Sequence, residues 1–383
     1  MELMTKSKKD VSLRTAQMVR LLAEIGPDIP EIARRLGQFK ESVRYRYKQK
    51  ILNGGFAVQA APNYEKLGLK RVIMIVDFNN DFRPFATSIL TAMTKLCYVV
   101  SFEKTLPRGE YVVQAAVAAP FVNEYIGFIH ELKSKGIFSS VEALEFDWYR
   151  NSPMKADYYD FDHGRWDFDW SSVQGTDASA ASLVLSEPVK FDTVDLEIIK
   201  ELQADANKSL KEISKNINVN YKKLAWHYST HVIGRGMIRN YRVNWMGTTY
   251  DFDAEKARQR QHRYYMCALF VKYVDEVEKM TLRQRLSRLP FLWAEAAGSN
   301  FYAELAFPVE TVTEAFQYLE TAILPVREKS EILTIDQSNA IAFSVPWEMY
   351  SSDKGWTFNR AALTAQFENL ILEIRRAGSA QAK

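Results

Sequence analysis

The residues with the plainest chemical purpose are cations set on two short stretches. Lys40, Arg44, Arg46 and Lys48 share a segment whose apolar positions, Val43, Tyr47 and Ile51, recur every four residues. On a helix that spacing turns the apolar set inward and the cations outward. Gln38, Ser42 and Tyr45 belong to the outward set, and Glu41 is the only acid on the segment. A charge run is ordinarily a solvated face, but such a face carries acids among its bases, and this one has almost none. Arginine pairs bidentately with guanine in the major groove, while lysine chiefly meets phosphate. A second stretch carries Asn220, Tyr221, Lys222, Lys223 and His227, with Leu224 and Tyr228 turned inward and Arg235 and Arg239 just beyond. Asn220 reads as a helix cap before a base contact. Arg235, Arg239 and Arg242 read as phosphate contacts or as solvated residues. Taken together, the two stretches are expected to contact double-stranded DNA.

Other chemistry is thinly supplied. His227 and His231 lie four apart, a helical spacing able to ligate zinc, but no third ligand with matching spacing accompanies them, so no metal is assigned. His130, His163 and His262 are scattered. Asp157, Asp160, Asp162, Asp167 and Asp169 form an acidic run without the glycine and terminal glutamate of a calcium loop. It reads as a surface loop, or as a shield over a basic helix. No phosphate loop, nucleophile elbow or zincin motif occurs, so no catalytic residue and no cofactor are assigned. Cys97 and Cys267 are the only cysteines, which fits a reducing cytoplasm. No apolar run reaches the roughly 18 residues of a membrane span, and no membrane partner is expected.

The elements that must position these residues come as a repeat. The chain has 383 residues and a net charge of +3, but residues 1–56 carry +6, residues 190–246 carry +4, and the remainder carries −7. Sliding the sequence by 181 residues lays one basic segment on the other: Leu21 on Leu202, Val43 on Leu224, Tyr47 on Tyr228. Each reads as three helices and a wing, with a short helix, a tight turn and a longer basic helix making a helix-turn-helix. Ser209 and Glu212 form a capping box before the second copy's short helix. A βαββαβ pattern follows each segment, with strands over 71–78, 96–105, 110–119 and 138–148, then 264–273, 291–297, 301–307 and 331–345. Helices are expected over 84–95, 121–135, 274–289 and 312–324, and a final one over 359–376. The fold class is α+β: two winged helix-turn-helix domains, each followed by a ferredoxin-like domain, paired as an intramolecular pseudo-dimer whose two sheets cover one another. The expected divisions are 1–62, 63–150, an acidic aromatic linker over 151–189, 190–246, 247–350, and a helix and tail over 351–383.

Asp192-x-x-Asp195-Leu196-x-Ile198-Ile199-x-x-Leu202-Gln203-x-Asp205-Ala206, Glu212-Ile213-Ser214 and Gly236-Met237-Ile238-Arg239-Asn240-Tyr241-Arg242-Val243 resemble the helix-turn-helix of Lrp/AsnC (feast/famine) transcription regulators. The downstream pattern resembles that family's sensing and oligomerisation domain. The resemblance implies a small-molecule effector and pairing of chains into a homodimer. Gly109-Glu110 and Gly298-Ser299 match the family's glycine turn, but its aspartate is missing in both copies, so no effector residue carries over. The expectation is a cytoplasmic, bacterial or archaeal regulator without catalysis, reading two unlike half-sites in grooves about 34 Å apart. Sirohaem decarboxylases resemble the same architecture, and this chain also resembles two such subunits fused. Such an enzyme requires a tetrapyrrole pocket lined by cationic and histidine groups between the sensing domains, where this sequence holds few histidines.

Overall fold

The computed structural model describes residues 2–174, 185–246 and 262–381, and the side chains within them except those of 2–12, 338–339 and 374–381. The expected element order is present. The first copy opens with α1 (Glu2–Ile25), α2 (Ile29–Leu36), α3 (Lys40–Arg46) and the wing strand β1 (Ala57–Pro62). Asp28 caps α2 by accepting from the Glu31 amide, and Pro30 sits in its first turn. Val43, Tyr47 and Ile51 are buried, as the four-residue spacing requires. The βαββαβ unit follows as β2 (Leu69–Phe78), α4 (Ala86–Leu96), β3 (Val99–Leu106), β4 (Tyr111–Ala118), α5 (Val122–Ser134) and β5 (Phe138–Phe146), with β6 (Trp148–Asn151) one residue beyond. A small hairpin, β7 (Tyr159–Asp160) and β8 (Arg165–Trp166), closes the copy.

The second copy repeats the plan. It runs through α6 (Thr193–Ala204), α7 (Leu210–Asn216), α8 (Tyr221–Trp226) and the wing β9 (Ile238–Asn244). Next come β10 (Tyr264–Val271), α9 (Glu276–Leu286), β11 (Leu292–Ala297), β12 (Phe301–Pro308), α10 (Val312–Ile323) and β13 (Ser330–Ala342). A second hairpin, β14 (Tyr350–Ser351) and β15 (Gly355–Trp356), precedes α11 (Arg360–Gln381). In both copies the reader helix passes into a π-helical turn, Tyr47–Leu52 and His227–Ile233.

The two sheets do more than face each other. The strand order is β5-β2-β4-β3-β13-β10-β12-β11-β6. Within each copy this is the ferredoxin-like order, fourth-first-third-second. Residues 138–151 pair with β2 through β5 and then, after Asp147, with β11 of the other copy through β6. β13 does the same in reverse, pairing first with β10 and then with β3. The nine strands therefore close into a ring with α4 and α5 outside one half and α9 and α10 outside the other. Closure removes the free edges that an open sheet exposes. Arg150 of β6 locks one crossing by pairing at 2.6 Å with the buried Glu295 of β11, which also meets Arg283 of α9 at 3.3 Å.

The wings and hairpins are exchanged as well. β1 and β9 pair antiparallel, with Val58 opposite Val243 and Ala60 opposite Tyr241. Trp166 of the first hairpin packs on Trp245 and Phe291 of the second copy. Trp356 of the second hairpin packs on Tyr98 of the first, and its indole donates to the Leu67 carbonyl at 2.8 Å. The aromatics of the acidic stretch are thus core residues. The final helix, α11, lays Leu363 and Phe367 on α5, where Arg360 also meets Glu131 at 2.9 Å.

Gly26, between α1 and α2, has φ +73, and a Cβ there would sit 2.7 Å from the ring of Tyr241 on the opposite wing. Both the left-handed backbone and the close ring oppose a side chain. Gly26→Ala should cost about 1–3 kcal/mol, seen as a lower urea midpoint with an unchanged slope.

Candidate functional site

The ring of strands encloses polar side chains that a purely structural core would not need. Gln114 is the fourth residue of β4 and Glu304 the fourth residue of β12, and each stands opposite the fifth residue of its neighbouring strand, Ile73 and Ala268. They are equivalent positions on the two copies, and they meet at the pseudo-twofold axis, where the Gln114 amide donates to the Glu304 carboxyl. The Tyr302 hydroxyl donates to the same carboxyl oxygen at 2.5 Å. Glu103 of β3 is buried nearby, and its Oε2 finds no partner among the described residues, nor do Thr105 Oγ1 and Gln114 Oε1. The guanidinium of Arg71 lies between the rings of Tyr64 and Tyr149, 4.2 and 4.0 Å from their centroids, with Nε and one terminal nitrogen unpartnered among the described residues. Buried polar atoms are nearly always satisfied. Their concentration here marks a place built to meet something else.

Electrostatics divides these groups by role. Burial pushes the Glu103 carboxyl well above its usual range, the neighbouring Glu304 adds to the rise, and Arg242 opposes it. Burial also raises Glu304, against the hydrogen bond from Tyr302 and the charges of Arg242 and Arg71. Burial, and for Glu103 the charge of Glu304 as well, favours the protonated form of these carboxyls. Arg242, on the wing β9, reaches into the barrel end. It donates to Asn151 at 3.1 Å and lies 4.2 Å over Trp293. It also lines a cavity of about 170 Å³ with Gln59, Lys200, Gln203, Asn151 and Phe343. Lys200 comes from α6 and sits 3.9 Å over Trp347. The cavity thus has two cations in its lining, and one of them, Arg242, also acts on the charge of Glu103 and Glu304. None of these site residues belonged to the set expected from sequence. Arg242 reads from sequence as a contact to phosphate or the minor groove, or as a solvated residue, because its partners come from distant segments.

The expected DNA-contacting residues fall into two groups. Lys40, Ser42, Arg44, Tyr45, Lys48, Tyr221, Lys222 and Lys223 are exposed, with Tyr45 70% accessible. Arg44 pairs with Glu41 at 2.7 Å, Arg46 donates to Gln38 at 2.7 Å, and Asn220 caps α8 by accepting from the Lys222 amide. Lys50 pairs with Asp162 of the acidic hairpin at 2.6 Å, so that stretch does cover part of the first reader. Of the remaining three, His227 and Arg239 are corrected. His227 is buried, its Nδ1 2.9 Å from Asp195 Oδ1. Arg239 is turned onto Glu65 and is within 3.1 Å of Asn63, because the wing it sits on pairs with the other wing. Arg235 donates to the Lys190 carbonyl. Sequence reasoning also missed Asp195, whose Oδ2 lies 3.0 Å from His231 Nδ1; only the packing of α6 on the reader helix brings it there.

No family model matches the sequence, and no curated protein sequence matches it. Among solved structures, the siroheme decarboxylase NirDL matches with a TM-score of 0.52 and 10% identity, covering 88% of this chain and 96% of that one. The same enzyme in co-complex with an iron-uroporphyrin III analogue gives 0.51 and 11%, covering 89% and 96%. A transcriptional regulatory protein of the AsnC family from Pyrococcus furiosus matches over 34% of this chain and 86% of its own, with a TM-score of 0.26 and 14% identity. The chain therefore has the AsnC-like, siroheme-decarboxylase fold over most of its length. The expectation of a protein without catalysis is corrected: the solved structures that span nearly the whole chain are those of an enzyme. No helix among the described residues is long and apolar enough to cross a membrane.

The raised carboxyls make stability depend on pH in a fixed direction. A group held above its unfolded value stabilises the fold at low pH and loses that contribution as pH rises through its folded value. For Glu103 the loss begins above the ordinary 4.5. Glu103→Gln should therefore flatten the alkaline side of a Tm-against-pH curve. A variant curve parallel to that of the wild type would show that Glu103 ionises normally.

Proposed function

We propose that this chain is an enzyme that removes carbon dioxide from the carboxylate arms of a tetrapyrrole. The observation that carries the reading is the pair of buried carboxyls Glu103 and Glu304, whose proton affinity burial raises, together with Arg242, whose charge acts on both and which lines a cavity with Lys200. The whole-chain likeness to a siroheme decarboxylase supports it. A cavity of about 170 Å³ accepts an arm and not a macrocycle, since whole-ligand sites span roughly 300–1,000 Å³. The ring then stays at the mouth. Arg242 and Lys200 hold the arm's carboxylate. The bond between arm and carboxyl carbon breaks, carbon dioxide leaves, and the electron pair stays on the arm carbon in conjugation with the ring. A proton from Glu103 or Glu304 closes the new carbon–hydrogen bond, and solvent restores the acid.

Mixing the protein with an iron-uroporphyrin III should shift the Soret band, and mass spectrometry should show the product lighter by carbon dioxide. Arg242→Ala should weaken binding. Glu103→Gln with Glu304→Gln should cut turnover by about 10²–10⁴, the usual worth of a general acid, and leave binding in place. A colourless protein and an unchanged porphyrin mass refute the reading.

A second reading, DNA binding, rests on the exposed Lys40, Arg44, Lys48, Lys222 and Lys223. The same helices would also bind duplex in a regulator answering to a small-molecule effector. Affinity should then fall steeply with salt, and the triple change Lys40→Ala, Arg44→Ala and Lys48→Ala should lower the slope of log K against log salt by about 3. A flat salt response in gel shifts removes this reading.

A further inference from the structure

We propose that Asp195, His227 and His231 form a divalent metal site of the zinc type in the second helix-turn-helix. Asp195 is fully buried at the third position of α6, and its two carboxyl oxygens face one imidazole each, at 2.9 Å from His227 Nδ1 and 3.0 Å from His231 Nδ1. Both rings present the same nitrogen to one carboxylate. The three ligand groups lie within 4.8 Å of one another. Tetrahedral zinc with ligands at about 2.0–2.1 Å places its donor atoms roughly 3.3 Å apart, so small movements seat an ion among them. Asp192 Oδ1, 3.7 Å from His227 Nδ1, is partly exposed and completes the set itself or through solvent. Trp226 packs edge-on against both imidazoles and shields one side.

The carboxylate supplies the reason for a cation. Asp195 also accepts the Asp192 amide, so both oxygens of this buried carboxyl are turned onto nitrogen groups and neither onto a lysine or arginine among the described residues. The first copy carries cations at this place and no carboxylate. At the positions 181 residues earlier stand Arg14, Arg46 and Lys50, and Lys50 is paired with Asp162. There the protein supplies its own cations, and in the second copy it supplies only ligands. A bound ion would staple α6 to the reader helix at its π-helical turn, independently of whatever the barrel binds.

The test uses the untagged full-length chain, stripped with EDTA. Titrated zinc should bind at one ion per chain and raise the Tm, and cobalt(II) should give the visible bands of a tetrahedral site. His231→Gln should weaken uptake about 100-fold or more while the far-ultraviolet circular dichroism stays unchanged. X-ray absorption on the zinc-loaded wild type needs no variant and should show imidazole in the first shell. Equal zinc uptake by wild type and His231→Gln, or a shell without imidazole, would mean that the cluster is a hydrogen-bonded triad only.

Discussion

The structure depends on the length of one kind of strand. In each copy the fourth strand outruns its own four-stranded sheet and continues along the second strand of the other copy. Residues 138–151 do this in one direction and Ser330–Ala342 in the other. Backbone hydrogen bonds demand partners, and an overhanging strand obtains them by bridging. Once both bridges form, the sheets are a ring, the wings are brought into register, and the hairpins reach across to pack their tryptophans on the opposite copy. A shorter fourth strand would leave two open sheets and no interior.

That interior explains the functional site. A closed barrel in this size range is normally filled by side chains. Here the filling includes two carboxyls, a glutamine and two arginines, supplied by both copies and by a wing. Burial raises the proton affinity of the acids, and the pairing of the wings fixes the place of Arg242. The helix-turn-helix domains therefore act as walls of the barrel end as well as basic surfaces.

Much of the fold was legible in the sequence. The spacing of Val43, Tyr47 and Ile51 and the Ser209 cap are local signals; the first set is buried, and Ser209 accepts from the Glu212 amide although the reciprocal half of the expected box does not form. The repeat made the pairing of copies expected. The site was not legible, since it is assembled entirely by contacts between segments far apart in sequence. Glu103 and Glu304 are separated by the whole second helix-turn-helix. Arg239 and Arg242 look like any wing cations until the wings are seen to pair. Asp195 stands in the sequence only as part of the family-like opening of α6; it completes that helix's capping box, and nothing local shows that the histidines of the reader helix turn onto it.

The meeting of Gln114 with Glu304 bears on why two copies share one chain. In an assembly of identical subunits, every substitution arrives twice, and a residue on the symmetry axis meets its own image. Two glutamates there would repel, and two glutamines would offer no acid. Covalent fusion frees each half to drift alone, so an amide can come to face a carboxyl at the midline, an arrangement barred to a true homodimer.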